Sequence, residues 1–208
     1  MKTYNFNKSK CGTHSLIISE IPDAGNILDV GCNEGYIGSV FQKSKNCFYG
    51  IDFDPQSLIL AQKQYCKIIL ADLNTSDIEK LSLDDNFFDV IIFGDILEHL
   101  MDPLDTLNRF KRYLKPDGKI IVSLPNIANF SIRFKLLFGS FDYTETGILD
   151  RTHLHFYTIK SAMKLVKDSD YKIEKIKYGS NLFGYLINRF RLFSGLLAYN
   201  IIIVAKKQ

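Results

Sequence analysis

Cysteine is scarce. Cys11, Cys32, Cys47 and Cys66 are spread through 208 residues, and no two form a C-x-x-C pair. That spacing argues against zinc ligation or a dithiol redox motif, and it leads us to expect buried free thiols in a reducing cytoplasm. Long apolar runs are missing too. No stretch nears the roughly 20 residues a membrane-spanning helix needs, and the polar segment 1–12 has no apolar core of a secretion signal. Charge of one sign is limited to a net +3. So small a surplus gives no reason to invoke DNA, and the scatter of Lys and Arg argues against RNA. Internal repeats and low-complexity tracts are absent. What is there is 46% hydrophobic and 24% charged, ordinary globular values for a chain long enough to build one sizeable core. The expectation is a single domain over residues 1–208.

The chain is organised around residues 26–35. Ile27, Leu28 and Val30 form an apolar run that stops at Gly31-Cys32-Asn33-Glu34-Gly35. Such a run bounded by glycines predicts a buried strand entering a tight turn, with a helix after it. A glycine turn there lets backbone approach a ligand closely, and the helix start offers free N–H groups. The G-x-G-x-x-G pattern of a dinucleotide site is not met, since Asn33 stands between the glycines. Asp29 inside the strand end suits a cationic ligand better than a pyrophosphate.

Further strands are predicted over residues 46–52, 67–70, 87–93, 119–124, 171–178 and 199–205. Helices are predicted over 14–21, 55–65, 96–114 (with an interruption at Asp102-Pro103) and 158–167. Strands alternating with helices at this spacing indicate an α/β fold with a doubly wound, mostly parallel sheet. The last two strands are expected to pair antiparallel at one edge.

Leu28-Asp-Val-Gly-Cys-x-x-Gly35 resembles motif I of the class I S-adenosylmethionine (SAM) methyltransferases. The resemblance extends over about residues 27–205. It implies a Rossmann-like, seven-stranded sheet with a reversed last strand, and insertions at about 126–148 and 181–198. It also implies that Gly31, Cys32, Asn33 and Gly35 abut SAM and that Asp29 lies near its amino-acid end. Asp52, ending the second strand, can accept from both ribose hydroxyls because a carboxylate has two oxygens. Phe53 can lie against adenine, and Asp72-Leu73 resembles the pair that meets the adenine amino group and ring. Asp54, just before Pro55, reads as a helix cap instead. Asn33 replaces a usual glycine and tolerates positive φ better than most residues.

Residues 88–100 resemble motif IV of the same family, placing Gly94 and Asp95 where the methyl group lies. If Asp95 opens a helix, Asp95, Glu98 and His99 share one face of it. Farther on, His153 and His155 precede a helix capped by Thr158, and residues two apart in an extended segment face the same way. The pattern is similar to two metal-dependent branches of the superfamily, the ubiquinone-pathway O-methyltransferases and the small-RNA 2′-O-methyltransferases. That similarity implies Asp95, Glu98, His99 and His153 as ligands of a divalent ion (Mg, Mn, Fe or Zn). The metal-free alternative uses His153, His155 or His99 as general base; in a third reading the histidines and the acids around the helix start are structural.

Residues 124–156 also resemble bacterial methyltransferases of surface-polysaccharide and related small-molecule pathways. The function expected is therefore O-methylation of a small acceptor, a sugar, glycan or lipid-linked sugar. The rivals are an RNA methyltransferase and a non-catalytic SAM-binding module. Both insertions are apolar with basic residues interspersed. Each is expected to pack on the sheet, to cover the face of a homodimer or to meet a membrane surface.

Overall fold

A computed structural model describes residues 11–75, 78, 81–180, 187 and 193–208. In chain order the elements are α1 (Thr13–Ile18), β1 (Ala24–Val30), α2 (Tyr36–Val40), β2 (Lys45–Asp52), α3 (Pro55–Ala61), β3 (Lys67–Leu70) and β4 (Phe88–Gly94). They continue with α4 (Pro103–Phe110), β5 (Leu114–Pro125), α5 (Phe130–Leu137), α6 (Ile159–Asp168), β6 (Tyr171–Gly179), α7 (Ser194–Leu197) and β7 (Asn200–Lys207). The strands form one seven-stranded sheet in the order β3-β2-β1-β4-β5-β7-β6. Strands β1 to β5 pair in parallel, and β7 runs antiparallel to both β5 and β6. This is the predicted α/β sheet with a reversed last strand. β7 lies inside β6 rather than at the rim, so it is hydrogen-bonded on both sides.

The apolar strand runs explain the layering. Successive strand residues point to opposite faces. Leu28, Val30, Ile91, Phe93, Ile120, Val122, Ile201 and Ile203 join the core on one face. Ile27, Val90, Ile92, Ile121 and Ile202 join the core on the other. Both faces are covered, so the strands read as unbroken apolar runs rather than alternating ones.

Register fixes where the site can be. Val30 is level with Ile51 on β2 and with Phe93 on β4. Asp52 is level with Leu70 on β3. Gly31, Asp52, Ala71 and Gly94 therefore emerge along one edge, where loops of a parallel sheet collect ligands. Helix caps act as expected. The Asp54 carboxylate accepts from Gln56 N and Ser57 N ahead of Pro55, and Thr158 forms a capping box with Ser161.

Two expectations are corrected. The helix over 96–114 does not form as one piece. Asp95 has φ 52°, a 3-10 turn covers Leu97–His99, and Leu100 is extended. Helix geometry resumes only at Pro103, with Asp102 as its cap, because the residue before a proline is pushed out of the helical region. Cys47 and Cys66, expected as free thiols, are paired as a disulfide with Cα atoms 5.8 Å apart. They are distant in sequence, but β2 and β3 are neighbours and Cys66 N donates to Phe48 O at 2.7 Å. Cys32 is buried with its thiol, as expected. The second insertion lies mostly outside the described residues.

Ile203 tests the importance of β7. It is fully buried and faces Val122 on one side and Ile176 on the other. Ile203→Ala is expected to destabilise the fold by about 2–5 kcal/mol in urea titration. A loss under about 1 kcal/mol would mean β7 is not part of the cooperative core.

Candidate active site

A cavity of about 880 Å³ opens along the sheet edge. Of the predicted cofactor residues, Asp29, Gly31, Cys32, Asn33, Asp52, Phe53, Asp72, Leu73, Gly94 and Asp95 all line it. Gly35 does not line the cavity but closes the turn beneath it. Its φ is 81°, and a Cβ there would meet Tyr65 Cε2 at 2.7 Å and the Ala61 backbone at 3.0 Å. Only glycine meets both demands. Gly31 has φ 76°, and a Cβ on it would press on Ile96 at 3.0 Å. Asn33 adopts φ 48°, so the asparagine in place of a glycine keeps the turn. Its side-chain oxygen accepts from Glu34 N at 2.7 Å, which holds that left-handed bend locally.

The turn is anchored to its neighbours. Gly31 N and Cys32 N both donate to Ile51 O, at 2.8 and 3.0 Å. Asn33 N donates to Asp52 Oδ2 at 2.8 Å and Asp54 N to Oδ1 at 3.0 Å. Each Asp52 oxygen thus holds one backbone amide and keeps a further lone pair for a ligand hydroxyl. The Asp72 carboxylate accepts from Asn74 N at 3.0 Å, while Phe53 is 69% exposed at the rim, where a flat ring can lie on it.

Asp29 is buried and accepts from Tyr65 OH at 2.6 Å. Burial raises its carboxyl to about 7; the tyrosine bond opposes that rise and the Asp52 charge adds to it. The same burial pushes the Tyr65 hydroxyl and the Cys32 thiol upward. Two carboxylates beside one cavity, poorly solvated, favour a ligand carrying positive charge.

The other end of the cavity holds Gly94, Asp95, Ile96, His99 and Thr152, with Thr13, His14 and Ile17 of α1 over them. Asp95 Oδ1 accepts from Ser123 Oγ at 2.6 Å and from Asn200 Nδ2 at 2.9 Å. Burial raises the Asp95 carboxyl. His14 was not singled out by sequence reasoning. It has no motif around it, and only the docking of α1 brings it to the site. Burial lowers its pKa, against the opposing pull of Asp95, so the imidazole is neutral near pH 7.

The predicted metal and base residues separate. One ligand atom each from Glu98, His99 and His153 lies within 4.8 Å of the others. Asp95 does not belong to that group: its left-handed backbone breaks the expected helix, and its Oδ1 serves Ser123 and Asn200 instead. His153 and His155 do not share one face either. Residues 150–153 form a turn, closed by His153 N donating to Asp150 O. His153 packs against the His99 ring at 4.7 Å, whereas His155 Nε2 lies 3.3 Å from Met101 O. Neither ring lines the cavity; His99 does. Glu98 is 1% exposed, and neither carboxylate oxygen has a hydrogen-bond partner among the described residues. Burial, with Asp95 and Asp150 nearby, raises its carboxyl well above the usual range.

Comparison with known proteins agrees with this geometry. Residues 28–122 match a family described as a methyltransferase domain. Through these residues the chain is similar to SAM-dependent methyltransferases. A ubiquinone biosynthesis O-methyltransferase of Coxiella burnetii is 29% identical over 170 residues, covering 69% of this chain and 72% of that protein. A "Probable S-adenosylmethionine-dependent methyltransferase" of Mycolicibacterium smegmatis is 28% identical over 106 residues, and this chain spans 40% of its length. A Burkholderia thailandensis 1,6-didemethyltoxoflavin-N1-methyltransferase, solved with 1,6-didemethyltoxoflavin and S-adenosylhomocysteine, superposes with a TM-score of 0.63 at 15% identity. That alignment covers 94% of this chain and 76% of the other. The similarity supports SAM as the cofactor.

Asp29 gives a pH test of the methyltransferase site in the absence of cofactor. A carboxyl raised by folding stabilises the fold fully below its unfolded value of 3.8, and that stability is lost as pH rises through about 7. Asp29→Asn keeps an acceptor for Tyr65 without the charge. Its stability gain over the parent is expected to reach roughly 1–3 kcal/mol at pH 8 and to shrink towards pH 5. An equal gain at both pH values in denaturant titrations would show that the buried carboxyl does not titrate there.

Proposed function

We propose that this chain transfers the methyl group of SAM to a hydroxyl oxygen of a small acceptor, a sugar or glycan. The observation that carries the reading is the division of the cavity into two ends. Three strand-end carboxylates lie at one end, and a carboxylate with two imidazoles lies at the other. SAM, when bound, supplies an electrophilic methyl on a cationic sulfonium. Asp52 would accept from its ribose hydroxyls, Asp29 would meet its ammonium group, and Asp72 with Leu73 and Phe53 would hold the adenine. The Gly31–Gly35 turn gives the close approach that a bulkier backbone would block. Gly94 and Asp95 border the space where the acceptor oxygen must stand. A sugar hydroxyl is a poor nucleophile until its proton has somewhere to go, and neutral His14 or His99 can take it. The hydroxyl class is supported by the O-methyltransferase relative and by the resemblance of residues 124–156 to polysaccharide-pathway enzymes.

One observation favours a metal-assisted variant. A buried carboxyl with no hydrogen bond among the described residues, its Oε1 3.9 Å from His153 Nε2, is costly unless something compensates it, and Glu98, His99 and His153 are a donor set that fits a divalent cation. A cation there would lower the pKa of a bound hydroxyl.

The test is transfer of labelled methyl from SAM into fractionated extract, with and without EDTA. Label in a sugar-containing fraction supports the reading, and loss of it with EDTA adds the metal. Label confined to RNA, or tight S-adenosylhomocysteine binding with no transfer to any fraction, would overturn it. His14→Gln is expected to lower turnover by about 10²-fold or more. The thermal shift given by S-adenosylhomocysteine should stay unchanged. Unchanged turnover would assign the proton to His99 instead.

A further inference from the structure

We infer that the protein docks on an anionic lipid bilayer through the apolar tip formed by α5 and the residues that follow it. Helix α5 spreads its apolar residues around its circumference with Arg133 and Lys135 between them, and among its large apolar residues only Ile132 is buried. Phe134 is 63% exposed, Leu137 78% and Phe138 72%, with Leu136 also exposed between them. Phe134 and Phe138 pack ring on ring at 4.9 Å, so the exposed side chains form one surface rather than scattered points. Exposed apolar side chains gathered into one surface call for something to cover them, and no core surrounds most of this helix.

Charge selects the occupant. Residues 126–141 carry Arg133 and Lys135 and no Asp or Glu. Both cations are exposed, and neither has an acidic partner among the described residues. The second insertion repeats the pattern in sequence, with Arg189 and Arg191 and no acid over residues 181–198. The described part of it reaches the base of α5. Asn126 Nδ2 and Asn129 Nδ2 both donate to Ala198 O at 2.9 Å. There Phe193 and Leu196 add exposed apolar surface. Residues 126–141 and 181–198 together carry four cations and no acid, in a chain with 23 acids among 208 residues; Asp142 and Glu145 follow the first stretch. Apolar side chains that enter the acyl boundary, flanked by cations that meet lipid phosphates, are the chemistry of an interfacial anchor. A second copy of the same cationic tip would instead bring like charges together.

The segment after α5 leads to the histidines behind the cavity. The Phe141 ring lies 5.8 Å from Phe156, which lies 6.1 Å from His153. Docking stands independently of the reaction assigned to the site.

The experiment is vesicle flotation of the full chain. The vesicles are phosphatidylcholine alone, or phosphatidylcholine with about a quarter phosphatidylglycerol. The parent is expected to float with the anionic vesicles and to lose most of that binding in high salt. Phe134→Ser/Leu137→Ser/Phe138→Ser and, separately, Arg133→Glu/Lys135→Glu should each reduce the bound fraction by about tenfold. All five side chains are exposed, and cooperative thermal unfolding checks that both variants are folded. Failure of the parent to float, or equal flotation with both vesicle types, would overturn the inference. So would light scattering that finds a parent dimer abolished by the triple substitution while flotation is absent, because the tip would then cover a second copy.

Discussion

The hydrogen bond from the Asn33 amide to the Asp52 carboxylate ties the glycine turn after β1 to the end of β2. The cavity depends on that tie. Without it the turn would have only the two amides on Ile51 O to fix its height above the sheet. Because Asp52 uses one lone pair per oxygen for backbone, the residue that shapes the turn is also the one that can receive a ligand hydroxyl. Positive φ at Gly31, Asn33 and Gly35 makes the bend sharp enough for this. The parallel register of β1, β2 and β4 then brings the remaining groups to the same edge. The site is therefore a property of sheet pairing as much as of any motif.

The two ends of the cavity are built on different physical principles. At the β1–β2 end, burial leaves Asp29 poised near neutrality and bonded to Tyr65, an arrangement that a cationic ligand can complete. At the β4 end, Asp95 is fixed by Ser123 and Asn200, which come from β5 and β7. The reversed strand thus does more than pair between β5 and β6. It supplies a donor to the reaction space. Behind this space Glu98 is buried without a hydrogen bond among the described residues, beside two imidazoles. The costs of such burial persist where something outside the chain can offset them.

How much was legible in the residues differs by kind of feature. Strand identity, the positive-φ turn and the acids at strand ends came from local pattern, because apolar runs and glycines report on the backbone directly. Caps at Asp54 and Thr158 were legible for the same reason. The expected face shared by Asp95, Glu98 and His99 failed because helical spacing was assumed where a left-handed residue intervenes. The expected alternation of His153 and His155 failed because a turn, not a strand, holds them. His14 carried no local signal at all.

The sequence by itself determined the α/β class, the nucleotide-type turn and the acids that surround it. Each of these rests on interactions within a few residues or on the two-residue and 3.6-residue periods of the backbone. Tertiary structure alone decided which histidines reach the cavity, that Glu98 is buried without a hydrogen-bond partner, and that Cys47 meets Cys66. It also decided that the apolar tip beyond β5 stays outside the core. These depend on which distant strands become neighbours and on what space the packed core leaves, and neither quantity is written in any short stretch of chain.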